Sequence, residues 1–349
     1  MTRARLSSAL VIVWILLGSC SPIEISPTQT QLATASPTKI IRLPTLTPSF
    51  SLPTPSPSGT STTSTLPPTP LPSATPPPWR YELTFGAWDQ VTALAWSPKG
   101  SLLAVAAGGC VHIFDAATFQ QQHILEVNSW SDRLAFSPVK FTDVPDLLAV
   151  AAKEGKIQLW DAHAGKFIAA WEAHKKGAKS LVFSPDGSTL ASTGGDAMVR
   201  LWNISALLEQ HLESPPLLAE MIGGAYAIPD VRFSPDGSLV ASVDIHDIRL
   251  RDPASQRLVR TLRGDTSIFR IAFSPDGSKL ASAEMGNRVS LWDVASGQRL
   301  GQWSASEDQA GIDKVFIWDV SFSPDGSLLA AGKRTQVRSF VVFKPIPWQ

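Results

Sequence analysis

His174–Asn203 reads H-K-K-G-A-K-S-L-V-F-S-P-D-G-S-T-L-A-S-T-G-G-D-A-M-V-R-L-W-N, and the rest of the folded chain varies this stretch. An apolar run ends at Phe183. Ser184-Pro185-Asp186-Gly187 follows as a tight turn, in which proline fixes φ and glycine accepts a positive φ. Leu190-Ala191-Ser192 then forms a second short strand, and Gly194-Gly195-Asp196 turns again. Val199-Arg200-Leu201-Trp202 alternates apolar and polar as a third strand. One unit is an antiparallel meander.

The pattern returns at Trp96-Ser97-Pro98-Lys99-Gly100, at Phe136-Ser137-Pro138, and at the aromatics Phe233, Phe273 and Phe322. Counted by the serine after each aromatic (97, 137, 184, 234, 274, 323), the intervals are 40, 47, 50, 40 and 49. Strand endings recur alongside: Phe114-Asp115, Trp160-Asp161, Trp202-Asn203, Arg251-Asp252 and Trp292-Asp293. A period near 40 to 45 with such endings marks a propeller blade. On these residues the chain resembles the WD-repeat β-propeller family. The resemblance implies an all-β chain, a six-bladed β-propeller of four-stranded antiparallel blades. Departures stand at Asn203, at Arg251 and at Ser339-Phe340, and blades carrying them are expected to be less tightly specified.

The sixth unit lacks a fourth strand, whereas Trp79 to Phe85, upstream of the first, alternates like a strand without a blade. By resemblance to ring-closing propellers, this segment completes blade six beside the strand near Val337 to Val342 and removes an open edge. The insertion from Ile204 to Leu217 holds a short helix near Ala206 to His211, stopped by Pro215-Pro216.

At 349 residues, 44% apolar and 17% charged, the chain has material for a large core, and the repeats assign it to one ring over residues 79–349. The 30 basic and 30 acidic side chains balance. The first 78 residues hold four of the basic ones and one acidic, so the remainder is net −3, a poor surface for nucleic acid.

Residues 1–20 read as a signal peptide, with Arg3 and Arg5 before the apolar run from Leu10 to Leu17. Leu17-Gly18-Ser19-Cys20 resembles the bacterial lipoprotein signal, which implies acylation of Cys20 and an extracytoplasmic protein anchored to the cell membrane. With Cys20 acylated, Cys110 is a lone, small buried residue. Residues 21–78 are dominated by Pro, Ser and Thr and lack the apolar content to fold. They read as a disordered linker, with a reach on the order of 180 Å if fully extended.

The third unit alone carries the full polar set that the resemblance makes structural: His174, Ser192, Asp196 and Trp202. Unit two keeps Trp160, with Glu154 in the aspartate's place. Unit five keeps Ser282 and Trp292, with Gly286 there. His, Ser and Asp together invite a hydrolase reading, which the resemblance opposes. The aspartates of the S-P-D-G turns (Asp186, Asp236, Asp276, Asp325) read as turn formers, and no histidine spacing suggests a metal. No cofactor is expected.

Interaction with a protein or peptide, by a monomeric propeller, is the reading that remains. Family geometry groups the loops entering each first strand on one face, and there it places Trp88, Trp130, Lys175, Lys176, Tyr226, Phe269 and Trp318. The alternative is a propeller enzyme or carbohydrate-binding module using the central channel. Carboxylates or histidines converging in the channel around an ion would favour that alternative, and a mixed rim without them favours interaction.

Overall fold

The computed structural model describes residues 91–138, 144, 146–152, 154–224, 226–304, 316–334 and 339–343. The proposed signal peptide, the linker, Trp88 and the closing strand at Trp79 to Phe85 lie outside the described residues.

Each repeat folds into one antiparallel meander. Sheet one is β1 (Val91–Trp96), β2 (Leu102–Ala107), β3 (Cys110–Asp115) and β4 (Gln121–Leu125). Sheet two is β5 (Ser131–Phe136), β6 (Leu147–Ala152), β7 (Lys156–Asp161) and β8 (Lys166–Glu172). Sheet three is β9 (Ala178–Phe183), β10 (Thr189–Gly194), β11 (Met198–Asn203) and, after the helix α1 (Ile204–Glu209), β12 (Leu217–Ile222). Sheet four runs β13 (Val231–Phe233), β14 (Val240–Asp244), β15 (Asp247–Arg251) and β16 (Leu258–Arg263). Sheet five runs β17 (Ile268–Phe273), β18 (Lys279–Glu284), β19 (Arg288–Asp293) and β20 (Arg299–Ser304). Sheet six shows three strands among the described residues: β21 (Phe316–Phe322), β22 (Leu329–Arg334) and β23 (Ser339–Phe343).

Strand alternation gives each sheet two apolar faces, and neighbouring sheets share them. Leu190 of β10 pairs with Trp202 of β11, and both pack on Leu147, Leu159 and Trp171 of sheet two. One residue on, Ala191 and Leu201 point the other way, into a core shared with Ile228, Val231 and Val240. Equivalent cores join sheets one and two through Val111, Ile113 and Leu148, four and five through Ile248, Leu250 and Ile271, and five and six through Ala283, Leu291 and Val320. The first strands of successive sheets, β1, β5, β9, β13, β17 and β21, pack side by side around the axis, the arrangement of a β-propeller. At sheet one, Leu103, Val105 and Phe114 are buried on the face away from sheet two, while Leu94 is 62% and Trp96 54% exposed.

The turns behave as their chemistry dictates. Asp186 Oδ1 accepts from the Ser184 hydroxyl at 2.5 Å and from the Ser188 N–H at 3.1 Å, and Asp236, Asp276 and Asp325 repeat the pattern. The serine hydroxyls hold Asp276 and Asp325 down at about 2. Gly237, at φ +73°, turns its α-carbon toward the Pro185 ring of the preceding sheet, where a Cβ would stand 3.6 Å from the ring; Gly277 meets Pro235 and Gly326 meets Pro275 likewise. Consecutive turns therefore stack around the ring. The aspartates that end third strands cap the next loop: Asp115 accepts from the Ala117 and Thr118 N–H groups, and Asp293 from Ser296. Asn203 does the same for a helix, its Oδ1 accepting from the Ala206 N–H as N-cap of α1. This departure from W-D thus keeps the physical role of the aspartate. The helix occupies Ile204–Glu209, slightly earlier than expected, and buries Ile204 and Leu207 in the core between sheets two and three.

Candidate binding face and channel

The two ends of the barrel of sheets are distinct. Loops entering the first strands hydrogen-bond the turns between second and third strands: Gly155 O accepts from the His174 N–H, Gly177 O from Gly195, and His246 O from Gly264. The S-P-D-G turns and α1 lie at the opposite end, where the Ile204 N–H donates to Ser188 O. On the first face Trp130 is 44% and Tyr226 65% exposed, and Lys175 and Lys176 are also exposed. Phe269, within β17, is half-buried. The side chain of Trp318 lies outside what is described. Two grooves form on the second face. The larger, about 460 Å³, runs between β8 and α1 and is lined by Lys166, Phe167, Leu207, Leu208, Glu209 and Leu212.

Beneath the first face the polar set of sheet three closes as one chain. Trp202 Nε1 donates to Ser192 Oγ at 2.9 Å, and Ser192 Oγ lies 2.8 Å from His174 Nε2. His174 Nδ1 lies 2.8 Å from Asp196 Oδ1. With the indole N–H aimed at Ser192, the hydroxyl proton goes to Nε2 and the Nδ1 proton to Asp196, which assigns one tautomer of a neutral ring. Burial, opposed by Asp196, pushes the imidazole below its ordinary value. Burial would raise Asp196, yet the hydrogen bonds from Arg200 and His174 outweigh it and hold that carboxyl at about 2. Arg200 was not anticipated from the sequence. Its Nη1 reaches Asp196 Oδ2 at 2.7 Å and stands 2.8 Å from His174 Nδ1, while its Nε donates to Glu220 Oε2 at 2.7 Å. Gly194 admits the ring, since a Cβ there would run into it.

The spacing is that of a hydrolytic triad, but the surroundings are not. Ser192 is fully buried and its oxygen is engaged by an indole, so no substrate carbonyl can approach it. The other sheets adapt the motif. Trp160 donates to Gln158 Oε1 at 3.1 Å, and Glu154, expected in the aspartate's place, is exposed instead. In sheet five Trp292 donates to Ser282, whose hydroxyl donates to buried Glu284 at 2.8 Å; Gly286 plays no part in it. Cys110 is buried as expected but is not a free thiol, which corrects its reading as a lone cysteine.

A second cluster, which the sequence reading missed, sits on the first strands. Asp230 precedes β13 and is fully buried. Its Oδ1 accepts from Ser180 Oγ at 2.8 Å and Arg232 Nη1 at 2.7 Å, and its Oδ2 from the Ile271 N–H at 3.0 Å. Arg133 Nη2 stands 3.6 Å from the same Oδ1. Arg270 Nη1 is held by the carbonyls of Pro229 and Phe269, each at 2.9 Å. Among the described residues no group of three or more His, Cys, Asp and Glu side chains is placed to hold a metal, and no helix is long and apolar enough to cross a membrane.

The comparisons agree with this architecture. The family "WD domain, G-beta repeat" matches residues 79–115, 165–203 and 311–338, and "Neuroblastoma-amplified sequence, N terminal" matches 250–318. The B-type cell cycle switch protein ccs52B of Medicago truncatula is 29% identical over 119 residues, which is 33% of this chain and 24% of that protein. Apoptotic protease-activating factor 1 of Danio rerio is 33% identical over 115 residues, 32% of this chain and 9% of that protein. Human WD repeat and SOCS box-containing protein 1 is 30% identical over 98 residues, 28% and 22% of the two chains. The matches thus span no more than about a quarter of those relatives. Among solved structures, a chain of a mitotic checkpoint complex superposes with a TM-score of 0.61 at 20% identity, covering 71% of this chain and 73% of that one. These likenesses support a WD-repeat β-propeller, a class whose members generally act as protein-interaction scaffolds.

Proposed function

We propose that this protein is a membrane-anchored, extracytoplasmic scaffold that binds a protein or peptide through the face bearing Trp130, Lys175, Lys176 and Tyr226. The exposure of Trp130 and Tyr226 on that face carries the reading. Large aromatics beside cations act as anchors at interfaces, and these two leave 44% and 65% of their surface exposed. Acylation of Cys20 tethers the chain, and residues 21–78 hold the propeller away from the membrane.

The test compares partner capture by the wild type, Trp130→Ala, Tyr226→Ala and, on the opposite face, Leu212→Ser. Capture falls at least tenfold in the first two variants and stays unchanged in the third. Loss in Leu212→Ser alone would move the site to the groove beside α1. The anchor has its own test. Fatty-acid labelling marks the wild type and not Cys20→Ala, with equal labelling overturning it. Cys110 is not a free thiol and Cys20 is the chain's one other cysteine, so the anchor and a Cys20–Cys110 bond exclude each other, and a Cys20–Cys110 peptide on digestion without reduction would overturn the anchor.

A further inference from the structure

Arg133, Ser180, Asp230 and Arg270 each stand three residues before the aromatic that closes their first strand, so four repeats place them in one layer of the ring. Asp319 of β21 holds the same position, and Arg232 lies two residues beyond Asp230. The layer begins about two residues, or ~7 Å, inside the first face.

Among the described side chains, charge in this layer does not balance. Three guanidiniums, of Arg133, Arg232 and Arg270, face the carboxylates of Asp230 and Asp319. Asp230 already accepts three hydrogen bonds, from Ser180 and Arg232 at one oxygen and from the Ile271 N–H at the other. Asp319 is exposed and spends Oδ1 on the Val320 N–H. Arg133 Nε and Nη2, the two adjacent donors of its side-on fork, meet no hydrogen-bond acceptor among the described residues. Desolvation, eased by Asp230 and worsened by Arg270 and Arg232, lowers this guanidinium to about 10. A buried fork without an acceptor is unfavourable, and a planar carboxylate is the group that fits it two-pronged. Arg133 and Arg232 keep 20% and 26% of their side chains accessible, while Arg133 Nε and Nη2 are themselves buried, so the guanidinium must turn outward for an anion to meet the fork.

We propose that the channel layer formed by Arg133, Arg232 and Arg270 binds a carboxylate, supplied by an acidic side chain of a peptide lying across the first face. This rests on the binding face assigned above and specifies its partner: the ~7 Å depth is within reach of a glutamate, and Lys175 and Lys176 on the rim favour the same charge.

The probes are acetyl-Gly-Glu-Gly-amide, its glutamine counterpart, glutarate and inorganic phosphate, titrated into the whole chain at fixed ionic strength and read by calorimetry and thermal shift. The glutamate peptide binds saturably, the glutamine peptide at least tenfold more weakly. Arg270→Gln, whose native contacts are backbone carbonyls, and Arg133→Met each weaken the glutamate peptide at least tenfold without lowering the melting temperature. Binding of glutarate or phosphate without the glutamate peptide would overturn the peptide source and assign a free anion. Equal binding by wild type and both variants, or no saturable binding of any probe, would overturn the site. Partner capture lost in Trp130→Ala while the peptide fails to bind leaves the face standing without the channel, so the two readings fail separately.

Discussion

Arg133 and Asp230 belong to sheets two and four, and Arg133 Nη2 stands 3.6 Å from Asp230 Oδ1 across the end of sheet three. Sheet three contributes Ser180 to the same oxygen, so a single carboxylate atom is addressed from three consecutive repeats.

Removing that charge while keeping its shape leaves buried guanidiniums uncompensated. Asp230→Asn is expected to cost about 3 to 5 kcal/mol, measured by urea unfolding. Arg133→Met is expected to be neutral or stabilising, because it deletes donors that lack acceptors and fills the space with a hydrophobe. A large loss in Arg133→Met, with none in Asp230→Asn, would invert this account.

His174→Ala strands Ser192 and Asp196 and is expected to cost about 1 to 3 kcal/mol. Because Trp202, Ser192 and His174 form one chain of bonds, His174→Ala and Ser192→Ala together should cost clearly less than their sum. Additive losses would mean that the bonds are independent.

Acid should weaken the propeller in two stages. The folded His174 pKa lies below the unfolded value, so the unfolded chain binds the proton more readily, and stability falls as pH drops below about 6.5. Asp196, held at about 2, contributes stability above its unfolded value near 3.8 that is lost as pH falls toward 2. The melting temperature should therefore be lower at pH 5 than at pH 7, and His174→Gln should shrink that difference. An undiminished difference in the variant would place the titrating group elsewhere.

Leu94 and Trp96 of β1 are exposed on the face of sheet one away from sheet two, the face that the expected closing strand would help cover. A chain beginning at Val91 should melt lower and aggregate more readily than one beginning at Trp79, followed by light scattering during heating. Equal melting would show that Trp79 to Phe85 takes no part in closure.

The six meanders were legible because their signals are local: a proline and glycine at fixed places in each turn, and alternation on either side. His174, Ser192, Asp196 and Trp202 were legible as a set within one repeat. Arg200 lay in the same stretch and was passed over, because its value depends on β11 bringing it beside Asp196 and Glu220. Asp230 meets Ser180 and the Ile271 N–H from 50 and 41 positions away, which no reading along the chain connects. Aligning the repeats on their closing aromatics would have placed Arg133, Ser180, Asp230 and Arg270 in one column and exposed the mixed charge. The insertion after Asn203 reads as a short helix from its residues alone, whereas the burial of Ile204 and Leu207 in the core had only their apolar spacing of three as a signal.

A ring whose sheets touch only their neighbours can loosen from its seam one sheet at a time. Asp230 works against that, since its two oxygens draw on Ser180, Arg232, the Ile271 amide and Arg133, and so on sheets two through five. Opening any one of the four surrenders a contact to this buried carboxylate. In native-state hydrogen exchange these four sheets should behave as one cooperative block, with a common opening free energy, while sheets one and six exchange earlier and independently.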